Sequence, residues 1–440
     1  MAMRRRTPNR HRLRPRAALA VAIAAGCGGG GGASLAITST PSGSATVRAA
    51  WSYQAAASGA PAAGVDWSLA SAPDGMTLSP AGLLEWTPAY ADLGQHALAL
   101  EAAHDGRTAR QEWSLRVDQG LHLGVTLSPR GHTAGSSDED YVEHFAGHAP
   151  WGRVIAFHGA WRASVEQAGE LPALAVVGAS AAQTYGFVPA IGIGWADGGG
   201  TPDLTSDSDP GDNSWSNQET RDEFRWALTS LAEVYQPPYL FLGNETNVWF
   251  DTHGEAEQWN EWLSQLAECR AAIRAVSPDT VVYTTFQLEM MKGLGAATNG
   301  WSFDPQWDLV ESCVAGVHVD ALGFTSYPYF EHAAPAAIPS DYYDEIAAHW
   351  SGPVAFTEIG WLAQAHPPYP GGEAPQRNFV GRFFELTAAL DIEYAAWLFL
   401  HDWDGQDAQP AFAHIGLRDN EGLVVRPADA RWRSEVALRE

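Results

Sequence analysis

The sequence predicts an α/β protein preceded by a smaller all-β module, and two patterns carry that prediction. From Leu121 onward, apolar runs that fit buried strands alternate with helix-like stretches such as Glu255 to Val276 and Gln376 to Leu390. That alternation favours a sheet of parallel strands. Residues 34–118 have only short alternating runs, separated by Gly, Pro, Asp and Ser turns. This second pattern is typical of an all-β segment.

Eight candidate strands fall in the α/β part. They are residues 121–128, 153–160, 185–193, 239–244, 280–287, 321–327, 353–358 and 394–400. Eight strands with intervening helices over residues 121–440 match a (β/α)8 barrel, the TIM barrel. A doubly wound sheet is the competing architecture, but no Gly-rich phosphate-binding turn follows the first strand. A chain of 440 residues suits a barrel with one accessory module.

The all-β module is expected over residues 37–118. Runs such as Ala97-Leu-Ala-Leu-Glu101 have the period-two alternation of strands. The string Ala72-Pro-Asp-Gly-Met76, followed by Ser79-Pro-Ala-Gly-Leu-Leu-Glu-Trp-Thr-Pro88, resembles the immunoglobulin-like repeats of bacterial surface proteins. The resemblance implies an immunoglobulin-like β-sandwich that acts as a spacer or adhesive module and contains no catalytic residue.

The first 26 residues are interpreted as an export signal. Seven arginines precede an apolar run, Ala17 to Ala25, that is too short to span a bilayer. The string Ala24-Ala-Gly-Cys27 leads into five glycines and resembles the lipobox of bacterial lipoproteins. The resemblance implies cleavage before Cys27, a lipid on its sulfur and a Gly-rich tether over residues 27–36; an ordinary signal peptide with an incidental cysteine is the alternative. We therefore expect an exported protein, lipid-anchored to a bacterial membrane or cell surface.

The charge balance argues against polyanionic partners. The formal net charge is −26, and without the leader's seven arginines 19 basic side chains would stand against 52 acidic ones, a net charge of −33. Such a surface repels nucleic acid. We expect a neutral partner, no nucleic acid, and a monomer.

Two apolar strands run into a carboxylate. The string Tyr239-Leu-Phe-Leu-Gly-Asn-Glu245 closes the fourth candidate strand, and Pro353-Val-Ala-Phe-Thr-Glu358 closes the seventh. A buried strand has no structural reason to end on an unpaired glutamate, because burying a charge without a partner is costly. The carboxyl ends of barrel strands meet at one mouth, where barrel active sites lie. Paired carboxylates at one pocket are the groups that cleave a glycosidic bond.

These strings resemble glycoside hydrolase clan A, in which the acid/base follows strand four and the nucleophile follows strand seven. Asn244-Glu245 matches the Asn-Glu pair of the clan, and Thr357-Glu358-Ile-Gly-Trp361 matches its strand-seven motif. Within the clan, these motifs are most similar in sequence to those of the endo-β-1,4-galactanases, where a Gly-Asn-Glu string and a Ser-Tyr-Tyr-Pro-like string also occur. The resemblance spans Leu121 to about Trp403. It implies a retaining β-glycosidase with Glu245 as acid/base and Glu358 as nucleophile.

The resemblance also implies substrate-binding residues. Asn244 would bind the 2-hydroxyl of the sugar, Tyr327 would donate to the nucleophile, and Trp397 would form the floor of the reactive-sugar subsite. Further subsites are expected to be lined by aromatic and imidazole side chains, namely Trp361, Trp249, His158 and Trp195. For each of these four, packing is the alternative role.

One departure from the clan falls at strand two. The clan often has an arginine near the end of that strand, whereas the string Ala156-Phe-His-Gly-Ala-Trp161 offers His158 first and Arg162 only later. The sequence therefore leaves the hydrogen-bond partner of Glu358 open.

We expect no cofactor and no metal. The acidic loop from Asp203 to Asp212 could hold Ca²⁺, but a solvated loop is the simpler interpretation. His144 and His148 are spaced as zinc ligands can be, yet no adjacent Glu completes an HExxH motif. Cys269 and Cys313 could pair in an exported protein, although two buried free thiols are favoured.

Two rival functions stay open from the sequence. A non-catalytic carbohydrate-binding or adhesive lipoprotein could use a degenerate barrel, although an intact carboxylate pair argues against it. A transglycosylase would keep the same chemistry and transfer the glycosyl unit to another sugar. The sequence names neither the sugar and its linkage nor endo or exo action, because subsite loops set specificity and the fold does not.

Overall fold

The computed structural model describes most of the chain from residue 34 onward. The described residues are 34–46, 50–88, 92, 94–118, 121–131, 133, 136–146, 149–161, 171–195, 204, 211–248, 256–300, 304–316, 318–404 and 410–439. The predicted export signal and Cys27 of the predicted lipobox lie outside them. Of the helices that are described, none is long and apolar enough to cross a membrane. The chain divides into two compact units, one ending at Val117 and one beginning at Asp118.

The first unit is built from antiparallel strands. They are β1 (Ala36–Ile37), β2 (Ser44–Thr46), β3 (Trp51–Gln54), β4 (Ala57–Ser58), β5 (Asp66–Ser71), β6 (Thr77–Leu78), β7 (Leu83–Trp86), β8 (Gly94–His104) and β9 (Arg107–Asp118). The order β2-β9-β8-β5 forms a four-stranded sheet, β3-β7-β6 forms a three-stranded sheet, and β1 pairs with β4. The all-β prediction for this segment is confirmed, and the likeness to immunoglobulin-like repeats stays a prediction.

The core of this unit follows from period-two alternation. Trp51 and Tyr53 of β3 are buried while the side chains between and after them are exposed. Leu84 and Trp86 of β7 are buried in the same way and pack in the same cluster. Because successive side chains of a strand point to opposite faces, this alternation gives each strand one apolar face.

The second unit is a closed barrel of eight parallel strands. They are β10 (His122–Thr126), β11 (Val154–Ala160), β12 (Val188–Gly194), β13 (Tyr239–Leu242), β14 (Val281–Gln287), β15 (Ala321–Ser326), β16 (Val354–Ile359) and β17 (Ile392–Trp397). They pair in chain order, and β17 closes the barrel on β10. Every residue of β13, β15 and β16 is buried, as expected for strands covered on both faces. The predicted (β/α)8 barrel is confirmed.

Helices alternate with these strands. They are α1 (Asp138–Ala146), α2 (Ala173–Tyr185), α3 (Gln218–Tyr235), α4 (Ala256–Val276), α5 (Leu288–Met291), α6 (Ala296–Asn299), α7 (Trp307–Ala315), α8 (Asp344–His349), α9 (Glu373–Leu386) and α10 (Pro427–Arg439). The start of α3 shows how the sequence sets such a boundary, because the side chain of Asn217 accepts the backbone N–H of Thr220 and so caps the helix. The predicted helices near Glu255 and Gln376 correspond to α4 and α9.

The cysteines and the candidate metal-binding residues of the sequence remain to be placed. Cys269 and Cys313 are buried free thiols, and burial raises the pKa of both. His148 and most of the acidic loop that ends at Asp212 lie outside the described residues. Within the described part of the chain, no group of three His, Cys, Asp or Glu side chains is placed to hold a metal ion.

Candidate active site

Glu245 lies on a tight turn directly after β13. Gly243 and Glu245 both have left-handed backbone angles, with φ of +75° and +51°. A Cβ on Gly243 would come within 2.3 Å of the Trp195 ring, so both conformation and packing require glycine there. The Thr285 hydroxyl of β14 accepts the Glu245 N–H at 2.8 Å and donates to Asn244 Oδ1 at 3.1 Å. The turn that carries Asn244 and Glu245 is thus fixed by two contacts. Trp195 packs against Gly243, and the Thr285 hydroxyl hydrogen-bonds to Asn244 and Glu245.

Two further residues tie this turn to β14. Thr246 donates its hydroxyl to the carbonyl of Thr285 at 3.0 Å. Asn247 donates its Nδ2 to the carbonyl of Gln287 at 3.1 Å, and its Oδ1 accepts the Gln287 N–H at 2.8 Å. Thr246 and Asn247 are fully buried. A left-handed glutamate persists only where its surroundings hold it, and these paired contacts do so.

Glu358 reaches the barrel mouth because β16 contains a bulge. Phe356 points outward and packs on Phe383 of α9 with ring centroids 5.0 Å apart. Regular alternation would point Glu358 outward as well. The register with β15 instead skips Thr357, so that Phe324 pairs with Phe356 and Thr325 pairs with Glu358. One extra residue in a strand re-aims the side chains that follow it, and here it turns Glu358 inward beside Thr325.

The two carboxylates share one set of neighbours. Thr325 donates its hydroxyl to Glu245 Oε1 at 2.5 Å and is the register partner of Glu358. Tyr327 donates its hydroxyl to Glu358 Oε2 in a short hydrogen bond, which is the contact predicted for this tyrosine. His158 places Nε2 3.2 Å from Glu358 Oε1. His158, on the second barrel strand, is therefore a partner of Glu358, which the sequence left open.

Electrostatics at the barrel mouth favour the protonated form of Glu245. The pKa of Glu245 is raised to about 7, chiefly by burial and then by the charge of Glu358; the Thr325 hydrogen bond and His158 oppose the shift, and the charge of Glu289 adds a smaller increase. For His158, loss of hydration lowers the pKa, but the hydrogen bond and charge of Glu358 raise it overall. Because the His158 side chain is 45% exposed, solvent screens part of that attraction. The mouth therefore favours a protonated Glu245 beside a hydrogen-bonded Glu358.

The predicted tryptophans have different surroundings. Trp361 is fully buried and packs on Phe379 of α9, with ring centroids 5.5 Å apart. Trp397 is also fully buried, packs on Phe379 and Trp432, and donates its indole N–H to the Ile415 carbonyl at 2.9 Å. The structure therefore places both rings in the packing around the barrel and leaves no ring face open to a sugar. Trp249 lies outside the described residues.

A phenylalanine borders the site instead. Phe412 packs edge-on against the Tyr327 ring, with centroids 5.0 Å apart. It also lies 6.3 Å from the Phe330 ring. Unlike Trp361 and Trp397, Phe412 is only partly buried, so it keeps apolar surface for a ligand to contact.

Sequence reasoning missed three residues of the site. Thr285 and Thr325 are hydroxyls inside apolar strands, and such an interruption is the signal that could have found them. Glu289 is a third carboxylate, fully buried in α5 directly after β14. Its sequence context, Gln287-Leu-Glu-Met-Met291, resembles an ordinary helix start and gave no signal for a buried charge.

The comparisons with known proteins bear on the fold. No family model matches the sequence, and no curated protein matches it. Many solved structures match over most of the chain, and three of them serve as examples. A family 39 glycoside hydrolase from Bacteroides cellulosilyticus WH2 is 18% identical, covers 85% of this chain and 77% of its own, and gives a TM-score of 0.51. A GH5_18 protein from Streptomyces cattleya, in complex with GlcNAc, is 16% identical. The match covers 73% of this chain and 80% of that one and gives a TM-score of 0.54.

The third match is the exo-β-1,4-mannosidase Op5Man5 from the Opitutaceae bacterium strain TAV5, which is 16% identical and gives a TM-score of 0.54. The match covers 73% of this chain and 60% of that one. At such identities these likenesses establish the barrel fold. The activities in the names belong to the matched proteins.

Proposed function

We propose that this chain is a retaining β-glycosidase that hydrolyses a neutral oligo- or polysaccharide. The observation that carries the proposal is the contrast between two carboxylates at one barrel mouth. Glu358 accepts one hydrogen bond from the Tyr327 hydroxyl and lies against His158, contacts that suit an anionic nucleophile. Glu245 has a pKa raised to about 7 by burial and by the charge of Glu358, which suits a general acid.

In the first step, Glu358 attacks the anomeric carbon of the sugar. The bond from that carbon to the glycosidic oxygen breaks, and the carboxyl proton of Glu245 moves to the departing oxygen. The products are a glycosyl ester on Glu358 and the shortened leaving sugar. In the proposed mechanism, Asn244, whose Oδ1 accepts a hydrogen bond from Thr285, binds the 2-hydroxyl of the sugar.

In the second step, water attacks the same carbon and the ester bond to Glu358 breaks. Glu245, now ionised, takes the proton from the water. Esterification removes the negative charge of Glu358, and that charge is one cause of the raised pKa of Glu245. The pKa of Glu245 therefore falls after the first step, which makes it a base when a base is needed.

The substrate class rests on charge and on analogy. A chain with a formal net charge of −26 repels anionic polymers, which favours a neutral glycan. The matched structures carry glycoside hydrolase names, and this supports the reaction class. We further propose that the protein is exported and held to a membrane through a lipid on Cys27.

The reaction is tested by incubating purified protein with a panel of neutral polysaccharides and analysing the products. Release of shorter sugars, lost in Glu358→Ala and Glu245→Ala, supports hydrolysis. Products longer than the substrate would indicate transglycosylation. Binding of a glycan without any turnover would favour the non-catalytic binding protein and contradict the proposal.

A crystal structure offers a geometric test of the same proposal. Retaining enzymes place the two carboxyl groups roughly 5–5.5 Å apart. We expect that separation between Glu245 and Glu358. A gap of about 9 Å would indicate inversion instead.

The lipid anchor has its own test. Cys27→Ser should release the protein from membranes as soluble material, since no sulfur is left to carry the lipid. Mass spectrometry of the mature N-terminus should then find acyl chains on wild-type Cys27 only. Membrane association that persists in Cys27→Ser would exclude the anchor.

A further inference from the structure

A third carboxylate lies beneath the candidate active site, and the proposed chemistry does not use it. Glu289 is fully buried, directly after β14. Among the residues that the structure describes, no lysine, arginine or histidine forms an ion pair with it. Burying a carboxylate without a cation is costly unless hydrogen bonds compensate.

Four hydrogen bonds do compensate. Glu289 Oε2 accepts the Tyr327 N–H at 2.9 Å and the Gln287 Nε2–H at 2.6 Å. The orientation of the Gln287 amide is fixed, because its Oε1 accepts the Met290 N–H at 2.6 Å. Two of the four partners can therefore only donate, and both meet the same oxygen.

The other oxygen faces hydroxyl groups. Glu289 Oε1 accepts from Ser326 at 2.9 Å and from Tyr342 at 2.9 Å. The Ser326 hydroxyl also lies 3.0 Å from that of Tyr343. Glu289 thus joins the end of β14 to the end of β15 and to the segment that leads into α8.

We propose that Glu289 is a positioning residue of the active site: as a buried anion it fixes the backbone of Ser326 and Tyr327, and so holds the Tyr327 phenol against Glu358. This inference rests on the proposed function. The chain of contacts is short, because Tyr327 is held by its N–H at one end and donates its hydroxyl to Glu358 at the other. Glu289 does not touch the reacting atoms.

The charge of Glu289 gives a second effect. It is one of the contributions that raise the pKa of Glu245, beside burial and the charge of Glu358, and against Thr325 and His158. The titratable groups that face Glu289 are Tyr342, Tyr343 through Ser326, and Tyr329, all buried. Lys292 is the nearby cation, and it donates to the Tyr342 carbonyl rather than to Glu289. Glu331 adds a negative charge near Tyr342.

Two substitutions separate the effects. Glu289→Leu cannot accept, so it leaves the Tyr327 N–H unpaired and frees the phenol to shift. Misplacement of a catalytic contact can cost about 100-fold, so kcat should fall about 10- to 100-fold with little change in KM. Glu289→Gln keeps an acceptor for the Tyr327 N–H, while the two hydroxyls can turn to accept from its amide. It should restore most of kcat.

Glu289→Gln also removes the charge. The pKa of Glu245 should fall, and the loss of kcat/KM at high pH should begin at a lower pH than in wild type. Asp429→Asn is the matched control, since Asp429 is an equally buried carboxylate bound to Trp151, Arg418 and Arg433. Its pH profile should not move.

The decisive experiment is a double-mutant cycle measured by kcat/KM on the glycan that wild type cleaves. If Glu289 acts through Tyr327, then Glu289→Leu should cost less than about 3-fold in a Tyr327→Phe background. Losses that multiply would overturn the inference. So would a Glu289→Gln variant with the wild-type pH profile, a test that holds even if Glu289→Leu does not fold. Wild-type turnover that needs Glu358 establishes the proposed function independently, so failure of the Glu289 inference alone remains recognisable; a wild type without turnover overturns both.

Discussion

The carboxyl ends of β13 and β16 both carry a glutamate, but they treat it differently. Glu358 arrives through a bulge in a regular strand and meets donors, the Tyr327 hydroxyl and the His158 imidazole. Glu245 arrives through a left-handed turn and meets one hydroxyl, from Thr325, in surroundings that raise its pKa to about 7. The same side chain is thus prepared for two roles by its environment.

In the proposed mechanism, this difference assigns the acid and the nucleophile. Donors aimed at a carboxylate stabilise its charged form, whereas burial beside a like charge favours the protonated form. Glu245 also depends on Glu358, because the charge of Glu358 is one cause of the raised pKa of Glu245. Changing either environment should therefore change one role without erasing the other.

Removing Glu358 should have the largest effect. Glu358→Ala deletes the group that forms the covalent intermediate in the proposed mechanism, so kcat on the natural glycan should fall by roughly 10⁴-fold or more. Glu393→Ala is the matched control, since Glu393 is a barrel-strand glutamate whose described contact is the Tyr239 hydroxyl at 2.9 Å. The control should keep near-native turnover. If Glu358→Ala kept turnover comparable to that of Glu393→Ala, Glu358 could not be the nucleophile, and the contrast drawn between Glu358 and Glu245 would be wrong.

Removing Glu245 should have an effect that depends on the leaving group. General acid catalysis contributes about 10²- to 10⁴-fold, so Glu245→Ala should lose that much on a natural glycan. On an aryl glycoside whose leaving group needs no proton, the first step should be nearly unaffected. Steady-state kcat/KM on both substrates tests this, because it reports the first step and not the later attack of water. Equal losses on the two would contradict an acid role for Glu245.

Weakening the environment of Glu358 should have a smaller effect. Tyr327→Phe removes one donor to the nucleophile, and kcat should fall about 10- to 100-fold. Tyr329→Phe is the matched control, because Tyr329 is equally buried but donates to the Ala411 carbonyl, at 2.6 Å. It should lose stability without a comparable loss of kcat. Equal activity losses in the two variants would show that general packing, rather than the contact with Glu358, matters.

The raised pKa of Glu245 should make the free energy of unfolding depend on pH. A carboxyl whose pKa is raised on folding contributes stability below its unfolded pKa and loses it as pH rises through the folded value, here from about 4.5 to about 7. Glu245→Gln removes that loss, so it should be more stable than wild type at pH 8, by on the order of 2 kcal/mol, and equal to it near pH 4. Thermal unfolding at the two pH values measures the difference. A variant less stable at pH 8 would contradict the raised pKa.

The barrel and its two glutamates could be predicted because each depends on a local pattern. The eight strands are continuous apolar runs, and strand ends in a barrel meet at one mouth. The contacts of Glu358 could not be predicted in the same way. That His158 reaches it depends on the pairing of neighbouring strands and on a bulge at Thr357, which no local pattern reports.

The tryptophans show a related limit. Trp361 follows β16 and Trp397 ends β17, both at positions that suit a subsite, yet both rings pack around the barrel against Phe379. A motif fixes the order of residues along the chain, but the direction of a side chain after a strand ends depends on tertiary packing. The sequence did not point to Glu289 for the same reason, since three of its four hydrogen-bond partners, Ser326, Tyr327 and Tyr342, lie far from it along the chain.

The most direct test of the central claim is the configuration of the azide adducts that the two alanine variants form. In Glu358→Ala, azide should attack the anomeric carbon in place of the missing nucleophile and give a glycosyl azide of inverted configuration, because only one displacement occurs. In Glu245→Ala, azide should replace water in the second step and give the retained configuration. Proton NMR of the anomeric centre distinguishes the two. The account predicts opposite configurations, and the same configuration from both variants would contradict it.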